Sequence, residues 1–160
     1  MSFRLSKLVL TFFLVFYWLF MPQYGFSGIL SGGVGVHFVY PFCHANIFHL
    51  LANLVCFWMI PCESHLLISY LCAVLCSFLP CFCSEPTMGF SGVLFAVVGI
   101  SWGRCHRFVD MIWKNKLFLI IPLFLPNVNG LLHVYCLVVG YFIGSNLRDS
   151  FLPHWSKELL

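Results

Sequence analysis

The sequence contains few charged residues. Asp, Glu, Lys and Arg make up 8% of its 160 residues, whereas 61% are hydrophobic. A soluble domain of this size carries about a quarter charged residues, so this chain lacks the polar side chains that would cover a water-facing surface. The net charge is only +3, and its cationic residues are spread along the chain, which argues against a nucleic-acid partner. The composition predicts one all-α domain over residues 1–160 that crosses a membrane several times.

The sequence also lacks a disulfide pattern and a metal-binding pattern. Its nine cysteines are an odd number, and most lie in apolar runs, where Cys acts as a small hydrophobic residue. His44 and His49 are five residues apart and have no carboxylate near them, whereas helical zinc motifs place two histidines four apart beside an acid. We therefore expect neither a disulfide framework nor a metal.

Apolar runs occupy most of the chain, and each approaches the ~20 residues that a helix needs to cross a bilayer. They predict a bundle of six transmembrane helices at residues 5–24, 44–62, 65–83, 90–108, 112–127 and 129–147. If both termini are cytoplasmic, all eight Lys and Arg fall on the cytoplasmic side, as these residues prefer. We expect an integral multi-pass membrane protein, located in the plasma (inner) membrane of a bacterium. The alternative for the first run is a signal peptide cleaved near Ser27, but its length and aromatic content favour a retained span.

Polar side chains inside the predicted spans are functional candidates, because a membrane makes them costly. The second span contains His44, His49 and Asn53. His49 and Asn53 are four residues apart and share one helix face, while His44 lies near the start of the helix. The alternative role for these three side chains is hydrogen bonding between helices.

Ser91 and His133 lie near the outer ends of the fourth and sixth predicted spans. Small residues follow them on single helix faces: Gly92, Ala96, Gly99 and Gly103 in the fourth span, and Gly140 and Gly144 in the sixth. Because such faces let two helices approach closely, we expect these helices to pair and to bring Ser91 beside His133. A serine beside a histidine is a nucleophile with its general base, and no Asp or Glu is placed to complete a triad. The alternative is that Ser91 only caps its helix.

The tetrapeptide GFSG occurs twice, at residues 25–28 and 89–92. The first copy runs into a glycine-rich segment, which gives Ser27 no rigid support. The second copy opens an apolar helix with a small-residue face. The sequence therefore predicts that Ser91 is the reactive serine and that Ser27 is a loop residue.

Taken in order, these motifs resemble those of the rhomboid intramembrane serine proteases. The resemblance is carried by His44-x4-His49-x3-Asn53, Gly89-Phe90-Ser91-Gly92, and His133 with Gly140. It implies a six-helix bundle with a water-filled cavity open to the outside. It also implies cleavage of peptide bonds in or near the transmembrane segments of other membrane proteins within the lipid bilayer, without metal or cofactor.

The resemblance also implies a role for each matching residue. Ser91 would be the nucleophile and His133 the base, while His49, Asn53 and the backbone N–H of Ser91 would form the oxyanion hole. The residues expected to line the cavity or contact the substrate are His44, Gly89, Phe90 and Phe95.

The chain departs from the family pattern at three places. Phe95 stands where many members have tyrosine, Cys136 stands where glycine is usual and is expected to push the helices slightly apart, and residues 25–43 contain neither Trp nor Arg. Two other functions are the alternatives. One is a rhomboid-like protein that binds membrane helices without cleaving them, and the other is a small channel or transporter with a path of histidines.

Overall fold

The computed structural model describes residues 3–21, 33–60, 65–83, 87–104 and 129–147. Every regular element in these ranges is helical and none is a strand, so the predicted all-α class is confirmed for them. The elements are α1 (Phe3–Phe20), α2 (Val34–Val39), a 3₁₀ turn (Tyr40–Phe42), α3 (Ile47–Met59), α4 (Leu66–Ser77), α5 (Pro80–Cys83), α6 (Ser91–Arg104) and α7 (Gly130–Asn146).

Several sequence predictions concern residues outside the described ranges. They include the fifth span at residues 112–127, the loop serine Ser27, and the cationic residues Arg107, Lys114, Lys116, Arg148 and Lys157.

The described helices are shorter than the predicted spans. No one of them has both the length and the apolar character to cross a membrane alone. The segments Val34–Phe42 and Ile47–Met59 meet that measure only as a pair, and the pair is bent by 76°. The number of spans and their orientation in a membrane therefore stay predictions.

α3 begins later than the sequence predicts. The side chain of Asn46 accepts a hydrogen bond of 2.9 Å from the backbone N–H of His49, and Asn is a strongly preferred N-cap. The helix therefore starts at Ile47. His44 consequently lies in the non-helical stretch between the 3₁₀ turn and α3, rather than on the helix.

The expected pairing of the two small-residue faces is confirmed by the contacts between α6 and α7. A side-chain carbon added at Gly140 would lie 2.6 Å from the carbonyl oxygen of Ala96, and one at Gly144 would overlap the carbonyl of Ile100. Residue numbers rise together along the contact, so the two helices run parallel. This places the first turns of α6 and α7 side by side.

Gly92 is the member of the α6 face that does not pack directly on the α7 backbone. A carbon added there would lie 3.3 Å from the Tyr40 hydroxyl and 3.7 Å from both Ala73 Cβ and Cys136 Sγ. The buried thiol of Cys136 therefore occupies the space that Gly92 leaves. The glycine on α6 accommodates the larger residue on α7, and the helices remain in close contact below it.

Two cationic side chains join helix ends at the opposite end of the bundle from Ser91. Lys7 is only 2% exposed, and its ammonium donates to the carbonyl oxygens of Trp58 (3.3 Å) and Ile60 (2.6 Å). A cation is favoured at this position, because the C-terminus of α3 carries the negative end of the helix dipole. Arg104, at the end of α6, contacts His65 at the start of α4 at 2.5 Å.

Candidate active site

Ser91 and His133 are brought into direct contact. Ser91 is the first residue of α6, and His133 lies in the first turn of α7. Ser91 Oγ and His133 Nε2 are 2.7 Å apart, which is a normal distance for a hydrogen bond that involves a hydroxyl. The parallel packing of α6 and α7 is what juxtaposes two residues 42 positions apart in the chain.

The ring of His133 is held by packing. It is 7% exposed, and the Phe95 ring stacks on it with centroids 4.7 Å apart and planes 6° apart. Phe95 follows Ser91 by one helical turn, so one face of α6 presents both the hydroxyl and the ring that contact His133. The other ring nitrogen, Nδ1, is buried and has no hydrogen-bond partner among the residues that the structure describes, a set that contains no Asp or Glu.

The turn before Ser91 requires glycine. Gly89 has φ +104°, a conformation that other residues rarely adopt. Its N–H donates to the carbonyl oxygen of Tyr40 at 2.9 Å. A side-chain carbon at this position would also lie 2.6 Å from Nε2 of His49. Glycine therefore permits both the turn and the close approach of the His49 ring.

A small cavity of about 20 Å³ opens beside Ser91. A cavity needs about 10–15 Å³ to hold one water molecule, so this one has room for water. Its lining is formed by Tyr40, His49, Thr87, Met88, Gly89, Ser91, Gly92, Asn129, Leu132 and His133. The nucleophile candidate, the base candidate and one of the predicted oxyanion donors thus face one space.

The other predicted site residues surround this cavity without lining it. The side-chain amide of Asn53 donates to the His49 carbonyl oxygen at 3.0 Å. His44 is fully buried; its Nδ1 is 3.1 Å from the Phe42 carbonyl oxygen, and its ring meets the His49 ring edge-on with centroids 5.2 Å apart. Phe90 packs in the core against Phe57. His44 therefore contacts the His49 ring, while the Asn53 amide lies near Gly89, where an added side-chain carbon would be 3.4 Å from Asn53 Nδ2.

Sequence reasoning missed three polar residues of the cavity wall, in addition to the apolar Met88 and Leu132. Tyr40 is buried; its hydroxyl donates to the Ala73 carbonyl oxygen at 3.1 Å, and its backbone carbonyl oxygen accepts from the Gly89 N–H. Asn129 and Thr87 join the two segments that precede the catalytic candidates. Asn129 had a readable signal, since Asn before Gly and an apolar run is typical of an N-cap. Tyr40 and Thr87 lie in non-helical segments, where no periodicity indicates which way a side chain points.

This arrangement can perform nucleophilic chemistry with general-base assistance. Among the residues that the structure describes, no three His, Cys, Asp or Glu side chains group as metal ligands would. Comparisons of the chain with protein-family models, curated proteins and solved structures found no match. What indicates a function for this protein is therefore the set of motifs and their geometry.

Proposed function

We propose that this protein is a rhomboid-type intramembrane serine endopeptidase that cleaves peptide bonds in or near the transmembrane segments of other membrane proteins. One observation carries the proposal: Ser91 Oγ lies 2.7 Å from His133 Nε2, and both face the same cavity. An N-cap role for Ser91 would not require a histidine of another helix at hydrogen-bonding distance.

The reaction follows from these two side chains. His133 Nε2 takes the hydroxyl proton as Ser91 Oγ attacks the carbonyl carbon of the scissile bond, which gives a tetrahedral intermediate. The protonated His133 then donates to the leaving amine nitrogen, the C–N bond breaks, and an ester to Ser91 remains. Water attacks that ester while His133 takes its proton; as the second tetrahedral intermediate collapses, the ester C–O bond breaks, His133 returns the proton to Ser91 Oγ, and the carboxylic acid leaves.

The negative oxygen of the intermediate needs hydrogen-bond donors. Ser91 is the first residue of α6, so its backbone N–H has no partner within the helix and points toward the cavity end of the helix. His49, which lines the cavity, is the second donor that we propose. Asn53 donates one amide N–H to the His49 carbonyl, and because its NH2 group has two donors, we propose that the second N–H can serve the oxyanion.

The membrane setting is part of the proposal. Large apolar side chains cover the outer faces of the described helices; among the most exposed are Phe12, Phe48, Met59, Leu67 and Leu75. A lipid bilayer, which we propose to be the plasma membrane of a bacterium, would cover these faces. Lys7 and Arg104 lie at the end away from Ser91, which supports a cytoplasmic position for that end.

A fluorophosphonate probe tests the nucleophile, because it reacts covalently with activated serines. Purified protein in detergent should be labelled, and Ser91→Ala and His133→Ala should each abolish labelling. Ser27→Ala is the matched control, since Ser27 occupies the same position in the other copy of the GFSG tetrapeptide. This variant should label like the wild type. Labelling that survives Ser91→Ala would refute the proposal.

A second assay tests peptide-bond cleavage. The protein is reconstituted in liposomes with a single-span model substrate, and cleavage should occur with the wild type and disappear in Ser91→Ala. Binding of the substrate helix without turnover, equal in both proteins, would instead favour the non-catalytic alternative.

A further inference from the structure

Thr87 and Asn129 form a polar contact at the outer end of α6 and α7. Asn129 Nδ2 donates to Thr87 Oγ1 at 2.8 Å. Thr87 precedes Ser91 by four residues, and Asn129 precedes His133 by four residues. Both side chains also line the cavity that Ser91 and His133 face. One hydrogen bond thus joins the segment that leads into the nucleophile to the segment that leads into the base.

The Asn129 amide uses both of its ends. Its oxygen accepts from the backbone N–H of Leu132 at 3.0 Å and so caps α7, while its nitrogen binds Thr87. The cap fixes the amide to the first turn of the helix that carries His133. The bond to Thr87 therefore holds that turn, rather than a freely moving side chain, against the segment before Ser91.

Backbone packing between α6 and α7 is tightest farther down the helices. There Gly99, Gly103, Gly140 and Gly144 bring the two backbones together. At the level of Ser91 the nearest glycine, Gly92, instead faces Tyr40, Ala73 and the Cys136 thiol. The outer ends need another connection, because a misplacement of about 1 Å can slow an enzyme about 100-fold.

We infer that Thr87 and Asn129 are positioning residues: their hydrogen bond holds the first turn of α7 in the register that keeps His133 within reach of Ser91. This inference rests on the proposed function. It assigns the pair no contact with the reacting atoms, since the bond acts through the positions of Ser91 and His133.

Kinetics of fluorophosphonate labelling test the role. Thr87→Val removes the hydroxyl and keeps the branched shape, whereas Asn129→Ser keeps a capping oxygen but is too short to reach Thr87. Each change should lower the maximal inactivation rate about 10- to 100-fold and leave the half-saturating probe concentration within about two-fold. The double variant should be no slower than the slower single variant, because both changes remove one shared interaction. Thr87→Ser, which restores the hydroxyl, should recover most of the rate.

A purely structural role would give a different result. It would lower the midpoint of thermal unfolding in detergent in proportion to the loss of inactivation rate. Alternatively, the fold-losses in inactivation rate of the two single variants would multiply in the double variant. Either result, or an unchanged maximal rate in Thr87→Val, would overturn the inference.

A cross-linking experiment separates this inference from the proposed function. A short bifunctional methanethiosulfonate should join Thr87→Cys to Asn129→Cys, with the linked peptides identified by mass spectrometry. The control pair Thr87→Cys and Ser145→Cys places the second thiol near the far end of α7 and should not be linked. If wild-type Ser91 takes no label but the first pair is cross-linked, the proposed function fails and the contact stands. If the first pair is not cross-linked, the inference fails whatever the activity.

Discussion

Gly140→Ala should separate Ser91 from His133, although Gly140 lies two helical turns below the histidine. The added carbon would lie 2.6 Å from the carbonyl oxygen of Ala96 and 3.2 Å from its carbonyl carbon. Both neighbours are backbone atoms of α6, which cannot move aside as a flexible side chain can. The strain must therefore be relieved by moving α7 away from α6.

The size of the displacement follows from the contact. Ordinary contact begins near 3.4 Å, so α7 must retreat by about 0.8 Å at Gly140. Because Gly144 holds the helices together farther down, the retreat tilts α7 outward, and His133 moves by at least as much. The 2.7 Å contact between Ser91 Oγ and His133 Nε2 would lengthen to about 3.5 Å, which is too long for a useful hydrogen bond. We expect labelling to slow about 100-fold and the overpacking to destabilise the fold by about 1–3 kcal/mol.

The rate constant for fluorophosphonate labelling is the assay, measured at a temperature where thermal unfolding in detergent shows the variant to be folded. Gly35→Ala is the matched control, because a carbon added at Gly35 meets nothing within 4 Å; this variant should label at the wild-type rate. If Gly140→Ala labels as fast as the wild type, close α6–α7 packing does not set the geometry of the dyad.

Two further predictions concern aromatic and buried histidine contacts. Phe95→Ala removes the ring that stacks on His133 and should slow labelling about 10- to 100-fold. Phe95→Tyr keeps the ring and should label within a few-fold of the wild-type rate. Equal labelling rates for the two variants would contradict a role for the stack. The ring of His37 stacks on Phe78, and its Nδ1 lies 2.9 Å from Ser77 Oγ. Burial lowers the pKa of His37 below its ordinary value of 6.5. The folded protein then binds this proton less tightly than the unfolded chain, so the free energy of unfolding should fall as the pH drops through about 6.5 and be unaffected by this group well above that pH. Thermal unfolding at several pH values should show a smaller loss on acidification in His37→Gln, and an unchanged pH dependence would refute the assignment.

The helical part of the candidate site was predictable because helix periodicity is local. The spacing of Gly99, Gly103, Gly140 and Gly144 indicates which faces meet, and the structure pairs those faces. Because Gly140 packs on the Ala96 carbonyl and Gly144 on that of Ile100, the first turns of the parallel helices α6 and α7 lie near each other. The approach of Ser91 to His133 therefore follows from spacing within two helices.

The non-helical part was not predictable in the same way. His44 was expected on the second helix, but the Asn46 cap starts α3 after it, and the ring packs against His49 from a non-helical segment. Tyr40 and Thr87 reach the cavity wall from similar segments. Their positions depend on turns whose backbone angles the sequence does not determine by periodicity, apart from Gly89 with its positive φ.

Within the described part of the chain, which contains no Asp or Glu, other contacts must orient His133. In a triad, an acid fixes the orientation of the histidine through its second nitrogen; here Nδ1 has no hydrogen-bond partner in the described ranges. The contacts that the structure does describe are the Phe95 ring against the imidazole and the attachment of α7 at its Asn129 cap. The acid of a triad orients the histidine by a direct hydrogen bond. The constraints on His133 act instead through ring contact and through the position of its helix. We therefore expect changes at residues that never touch the substrate to alter the rate at Ser91 more than they alter binding.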